Sequence, residues 1–181
     1  MKNKLTKLEF KWICYDMGNS AFILLVATIL PIYFNYLSSS QGVAEHNYLS
    51  YWSYAASLST LIVALAGPIL GTLADYKDHK KKIFLTCAML GALALACFWI
   101  PSSWLAFLVL FIAAKVAYSL SLIVYDSMLT DITTEERMDA VSSKGYAWGY
   151  IASVVPFIIS LIFVLMYDKI GMTLKLSLIH I

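Results

Sequence analysis

Long apolar stretches dominate this 181-residue chain and decide what it can fold into. A helix needs ~20 apolar residues to cross a hydrocarbon layer ~30 Å thick, and most of these stretches reach that length. They lack the strict alternation of polar and apolar residues that a barrel strand requires. The pattern predicts an all-α membrane protein with five complete transmembrane helices. The predicted spans cover residues 12–37, 50–74, 83–100, 104–127 and 141–167.

Composition excludes the other broad classes of protein. Hydrophobic residues make up 61% of the chain and charged residues 13%, whereas soluble domains average about 25% charged residues. The basic residues flank the apolar stretches, so no nucleic-acid partner is expected. The three cysteines lack the spacing of a metal or redox site. Neither a nucleophile with a base nor a phosphate-binding loop is recognisable, so we expect no enzyme and no cofactor.

The last twelve residues, 170–181, begin a sixth apolar stretch. Twelve helical residues cover only ~18 Å, which is too short to cross the membrane. We therefore expect a cytoplasmic segment at 1–11, five transmembrane helices within 12–169, and the truncated start of a sixth helix at 170–181. His180 interrupts this last stretch, which suggests a truncated or misassembled gene, with a natural short protein as the alternative.

Basic residues predict the orientation of the chain. Ten of its thirteen lysines and arginines lie before the first span, after the second or after the fourth. Because basic loops stay on the cytoplasmic side, we expect a cytoplasmic N-terminus. Twelve lysines against one arginine suggest a bacterial protein of the inner (plasma) membrane. The ten residues are Lys2, Lys4, Lys7, Lys11, Lys77, Lys80, Lys81, Lys82, Arg137 and Lys144.

Polar residues inside the spans are candidates for function, because a charged side chain at the bilayer centre costs at least ~2.5–3.5 kcal/mol. In the first span Asp16, Asn19 and Ser20 have i, i+3, i+4 spacing and form one polar stripe. This stripe should face protein or water. Asp16 could couple to a proton, act in gating or contact a substrate amine. Equally, it could lie at the wet cytoplasmic edge, five residues after Lys11.

The fourth span carries a second polar face. Lys115 lies eleven residues from both Trp104 and Asp126, near the bilayer midplane. Tyr118, Ser119 and Asp126 fall within about 60° of it around the helix. Two polar faces on separate helices could line one aqueous cavity, where secondary transporters hold substrate. The partner of Lys115 is then an anionic substrate group or, in the structural alternative, a carboxylate of the protein.

Glycine pairs predict close helix packing. Gly67 and Gly71 in the second span, and Gly145 and Gly149 in the fifth, are small residues four positions apart. Such pairs let helix backbones approach closely. Packing is the simpler interpretation, although a seam of this kind can also slide.

The loop after the second span reads G-T-L-A-D-Y-K-D-H-K from Gly71 to Lys80. It resembles the signature loop of the major facilitator superfamily, G-x-L-A-D-x-x-G-x-(R/K), with Asp78 in place of the second glycine. The resemblance implies a cytoplasmic gate, in which Asp75 and Lys80 act together with Arg137.

Two further segments narrow the resemblance. Residues 12–22 read W-I-C-Y-D-M-G-N-S-A-F, and residues 125–150 contain Y-D-S-M-L-T-D-I, E-R and G-Y-A-W-G-Y. These segments are similar to the vacuolar amino-acid effluxers linked to autophagy and their bacterial relatives. The resemblance implies the N-terminal six-helix half of a twelve-helix major facilitator fold, with the sixth helix incomplete. It also adds Asp126 and Asp131 to the gate.

Together these observations predict a secondary active transporter that works by alternating access. The resemblance implies an amino acid or similar zwitterion as its solute, with Lys115 contacting a carboxylate and Asp16 coupling or gating. Expected partners are the lipid bilayer, the small-molecule substrate, a coupling proton and the missing C-terminal half. The alternatives are a six-helix channel or subunit acting as a homodimer, and a non-functional gene fragment.

Overall fold

The computed structural model describes residues 4–76, 78–167, 169 and 171. All regular secondary structure in this part of the chain is helical, so the predicted all-α class is confirmed. Five helices are long, α5 is a single turn, and a 3₁₀ turn at Glu45–Asn47 precedes α2. The helices are α1 (Lys7–Ser40), α2 (Tyr48–Ala74), α3 (Lys80–Ala96), α4 (Trp104–Ser127), α5 (Leu129–Ile132) and α6 (Glu135–Met166).

Most of the long helices can cross a membrane, which makes the chain a multi-pass membrane protein. With its 17 residues, α3 is ~25 Å long and at the lower limit for a span. The described residues contain five long helices and not the six of a complete half. The predicted start of the sixth helix, 170–181, lies outside them apart from Gly171. Four segments are long and apolar enough to span: Lys7–Ser40, Glu45–Ala74, Trp104–Ile132 and Glu135–Met166.

The third predicted span, 83–100, extends four residues beyond the end of its helix. α3 begins at Lys80 and ends at Ala96, and the next residues form a turn. In this turn the Ile100 amide donates to the Cys97 carbonyl at 3.0 Å, three residues back. Pro101 follows and disfavours a helical conformation at Ile100. The apolar residues at 97–100 therefore lead into α4 instead of extending α3.

Both α1 and α6 begin before the apolar stretches that predicted them. Thr6 and Glu9 form a capping box, in which the Thr6 amide donates to the Glu9 carboxylate at 2.7 Å and the Glu9 amide donates to the Thr6 hydroxyl at 3.2 Å. With its 34 residues, α1 is ~51 Å long and exceeds the hydrocarbon layer by ~20 Å. Its charged first turns, up to Lys11, therefore lie outside the membrane-spanning segment.

The helices form two compact units. The terminal unit consists of Met1–Tyr33 and Leu129–Ile181, and the central unit of Phe34–Met128. Within the central unit α4 packs against both α2 and α3. Aromatic side chains fill that core, with the Trp52 and Phe111 rings stacked at 4.2 Å. Buried side chains in the terminal unit include Ile13, Phe22, Ile29 and Val141.

A side-chain cap fixes the start of α4 in the central unit. Gln41 accepts a hydrogen bond from the Trp104 amide at 3.3 Å and donates through its amide nitrogen to the Ser102 carbonyl. The Trp104 ring also stacks on Tyr51 at 5.1 Å. These contacts tie the loop after α1 to the first turn of α4.

Candidate functional site

The polar stripe of α1 packs against glycines of α6 in the terminal unit. Ser20 donates a hydrogen bond to the Asp16 carboxylate. A Cβ placed on Gly149 would stand 2.6 Å from the Ser20 hydroxyl oxygen, and one placed on Gly145 would stand 3.2 Å from Asp16 Oδ2. The two glycines thus leave the space that the polar atoms of α1 occupy. Asn19, also part of the predicted stripe, is half-buried.

Two tyrosines on α6, absent from the predicted site, stand beside these glycines. Tyr146 is 66% exposed and Tyr150 59%. Their hydroxyl oxygens are 3.1 Å apart, and their rings meet edge to face at 4.8 Å. The Asp16 carboxylate interacts electrostatically with the Tyr146 phenol. The repeated Gly-Tyr in G-Y-A-W-G-Y was the sequence signal for this pair, because positions four apart share one helix face.

Lys115 lies in the middle of α4, beside a groove of about 510 Å³ in the central unit. Its ammonium stands 5.9 Å from the centre of the Phe111 ring. No carboxylate oxygen lies within 4.0 Å of it in the described part of this unit. Small side chains of α2 leave the space in front of the lysine. The groove is lined by Ala56, Ser57, Thr60, Leu61, Ala64 and Lys115.

Tyr118 and Ser119 do not join Lys115 in this groove, among the residues that the structure describes. The neighbouring surface of α4 is instead in contact with α3, because Gly91 brings the two backbones together. A Cβ on Gly91 would lie 3.6 Å from the Tyr118 amide nitrogen. Only Lys115, of the four residues predicted on this face, therefore lines the groove.

A second groove in the central unit is larger, at about 650 Å³. It runs from the turn after α3 along α4 and is lined by residues such as Pro101, Leu105 and Val109, with no charged side chain. Apolar surface of this kind suits contact with lipid tails. Charge, and not volume, therefore selects the Lys115 groove as the candidate site.

The signature loop has a left-handed residue at the position of the second glycine. Asp78 has φ of +65° and adopts the left-handed conformation that glycine accepts most easily. Aspartate is one of the few other residues that enter this region readily. Asp78 therefore adopts a conformation that the glycine of the pattern would adopt without strain.

The predicted gate residues are dispersed over both units. In the central unit Lys80 donates to the Ser127 carbonyl at the end of α4, at 3.3 Å, while Asp75 is exposed and makes no ion pair with a described residue. Asp126 is exposed. Gly71 has open space at its Cβ position, and Gly67 packs on Ile123 with 2.9 Å to a placed Cβ.

In the terminal unit Arg137 binds Glu9, a residue that sequence reasoning missed. The Glu9 side chain is 1% exposed. It accepts hydrogen bonds from Arg137 Nε at 2.9 Å, Arg137 Nη2 at 2.8 Å and the Thr133 hydroxyl at 2.7 Å. These bonds, the Arg137 bond first, lower the pKa of Glu9 to about 2. Asp131, which lies in α5, is exposed.

A multi-pass membrane protein with charged residues inside its spanning helices is the class that this fold and site define. Within that class, the chain belongs to the Atg22-like vacuole effluxer family, whose family model matches residues 6–181. A relative from Bacillus subtilis (strain 168), the uncharacterized MFS-type transporter YxiO, is 37% identical over 169 residues. The match covers 92% of this chain, which spans 40% of the length of that relative. No solved structure matches the chain.

Among the residues that the structure describes, no three histidine, cysteine, aspartate or glutamate side chains come together as a metal site. The chemistry of the candidate site consists of one cation, hydroxyl groups and apolar surface. These groups can bind and release a charged solute reversibly.

Proposed function

We propose that the chain forms part of a secondary active transporter, in which Lys115 contacts the carboxylate of a small solute. The observation that carries this proposal is the position of the Lys115 ammonium at mid-helix, beside a groove and with no carboxylate oxygen of the described central unit within 4.0 Å.

A comparison of free energies favours an anionic solute as the partner of Lys115. A lysine at the bilayer centre costs at least ~2.5–3.5 kcal/mol, whereas a cation over an aromatic ring contributes about 0.5–2 kcal/mol. The Phe111 ring, at 5.9 Å, therefore offsets only part of the cost. Water and an anionic solute in the groove would offset the remainder.

The family and the relative support transport as the activity. The family is described as vacuole effluxers, and the relative is named an MFS-type transporter. We propose an amino acid or similar zwitterion as the solute and alternating access as the mechanism. The transporter would be completed by further helices corresponding to the rest of the relative's length. It would lie in the cell membrane with its N-terminus in the cytoplasm, and a proton is the proposed coupling ion.

Uptake by proteoliposomes tests this proposal. The product of the gene that carries this sequence is reconstituted and supplied with labelled alanine, propionate or ethylammonium, which are all small and carry both charges, a negative charge and a positive charge, respectively. Saturable uptake of alanine, absent from protein-free vesicles, is the expected result. Failure of all three solutes to enter, or leakage that does not saturate, would contradict a transporter of such solutes, and the second outcome would favour a channel.

A further inference from the structure

The Asp16 carboxylate is only partly satisfied by the protein. A carboxylate offers about four acceptor positions, and Ser20 fills one of them. Gly145 and Gly149, which face it from α6, contribute no side-chain donor. No lysine, arginine or histidine nitrogen lies within 4.0 Å of Asp16 in the described part of the terminal unit. The remaining positions can therefore accept hydrogen bonds from a ligand.

Aromatic groups beside the two glycines that face this carboxylate add a second attraction for a cation. Tyr146 and Tyr150 follow the two glycines along α6 and are mostly exposed, with their hydroxyls 3.1 Å apart. The Trp12 ring packs on Gly145, with Cζ3 2.7 Å from the position of a placed Cβ. Ring faces attract cations, and phenol oxygens accept hydrogen bonds.

We propose that Asp16, Tyr146 and Tyr150 form a recognition site for a primary ammonium group. The inference rests on the proposed function, since the ammonium would belong to the transported solute. A primary ammonium offers three donors, which suit one carboxylate and two phenol oxygens. The Asp16 charge repels anions from the same place. Mg²⁺ and Ca²⁺ prefer sites with about six or more oxygen ligands, and no cluster of three candidate ligand residues is found here in the described part of the chain.

Reaction of an introduced thiol with charged reagents tests this site without any transport assay. Ser143 is exposed on α6 and shares the face of Tyr146 and Tyr150, three and seven residues further on. Ser143→Cys is made in a chain whose native cysteines are replaced. Rates are compared for aminoethyl methanethiosulfonate, which is cationic, and sulfonatoethyl methanethiosulfonate, which is anionic. The background replacements are Cys14→Ser, Cys87→Ala and Cys97→Ala.

The expected result is a preference for the cationic reagent that falls at least about tenfold when Asp16→Asn is added. A unit charge ~4 Å away contributes about 1 kcal/mol even in water, and it changes the local concentrations of the cationic and anionic reagents in opposite directions by about fivefold each. Ethylammonium chloride should slow the cationic reagent more than sodium chloride at equal ionic strength. This protection should be lost when Tyr146→Phe and Tyr150→Phe are combined.

Thr134→Cys is the matched control. Thr134 precedes α6 and makes no side-chain capping bond, and it lies nine residues, or ~13 Å along the axis, from Ser143. Its ratio of rates should not respond to Asp16→Asn, and an unchanged ratio there also shows that the fold is intact. An Asp16-independent ratio at Ser143→Cys, or a thiol that neither reagent reaches, would overturn the site. A preserved cation preference without solute uptake would contradict only the proposed function.

Discussion

Arg137 and Glu9 meet through two parallel hydrogen bonds, from Nε to Oε1 at 2.9 Å and from Nη2 to Oε2 at 2.8 Å. Arg137 Nη2 also donates to the Lys4 carbonyl at 3.1 Å. The pair joins the first turn of α1 to the first turn of α6. Because the carboxylate is buried and accepts from Thr6 and Thr133 as well, it forms a fixed connection inside the terminal unit.

Glu9→Gln should destabilise the terminal unit by about 1–3 kcal/mol, because an amide cannot accept both arginine bonds and leaves a buried donor unsatisfied. The measurement is thermal unfolding of the purified chain in lipid nanodiscs. Glu136→Gln is the control, since Glu136 is exposed in the first turn of α6. An equal loss of stability in both variants would show that the hydrogen bonds between Glu9 and Arg137 do not stabilise the terminal unit.

Acid should weaken the Glu9–Arg137 pair as the pH falls from 4.5 to about 2. The pKa of Glu9 falls from 4.5 to about 2 through its bonds to Arg137, Thr6 and Thr133. A lowered pKa means that the folded state binds the proton less tightly than the unfolded state. The contribution to stability is therefore complete above pH 4.5 and is lost as the pH falls towards 2. Unfolding midpoints across that interval should fall more steeply in the parent chain than in Glu9→Gln. Parallel curves would contradict the assignment.

Asp78→Gly should leave stability unchanged or raise it by up to about 1 kcal/mol, because glycine adopts φ of +65° without strain. Asp78→Val should lower stability by about 1–2 kcal/mol, since a β-branched residue is an outlier there. Asp75→Val is the control, because Asp75 has an ordinary φ of −70°. Thermal unfolding distinguishes the three variants. A harmless Asp78→Val would mean that the loop does not need the left-handed conformation.

Gly149→Ala should cost about 1 kcal/mol, because the new methyl would stand 2.6 Å from the Ser20 hydroxyl and displace it from Asp16. Adding Ser20→Ala removes that oxygen and leaves the Ser20 Cβ at 3.4 Å, so the double variant should be more stable than the sum of the single changes predicts. Gly71→Ala is the control and should stabilise α2 by about 0.5–1 kcal/mol, since its Cβ meets open space. Strict additivity of the two substitutions would contradict the close contact.

Hydropathy was sufficient to locate the five helices, because crossing a hydrocarbon layer demands a long apolar run whatever the neighbours are. It located their ends less well. Apolar residues 97–100 continue the hydropathy of α3, yet Pro101 ends the helix before them. Conversely, α1 begins within the charged segment, where the T-x-x-E pattern of Thr6 and Glu9 was the available signal.

Contacts between distant positions could not be read from spacing. Glu9 and Arg137 are 128 residues apart, so nothing local indicates that they pair, and Arg137 was predicted at the gate on resemblance alone. The stripe of Asp16 and Ser20 was visible from helical spacing, but its packing on Gly145 and Gly149 depends on how α1 meets α6. Similarly, spacing on one helix grouped Tyr118 and Ser119 with Lys115, whereas α3 covers the neighbouring surface of α4.

The most direct test of the central claim is solute uptake by Lys115→Gln and Lys115→Arg in proteoliposomes that contain equal amounts of inserted protein. The account predicts that Lys115→Gln lowers uptake of labelled alanine at least ~10-fold, the effect of ~1.4 kcal/mol of binding energy, while Lys115→Arg retains part of it because its charge is kept. Lys82→Gln, at an exposed lysine in the first turn of α3, should behave like the parent chain. Uptake by Lys115→Gln at the parent rate would contradict the role assigned to Lys115.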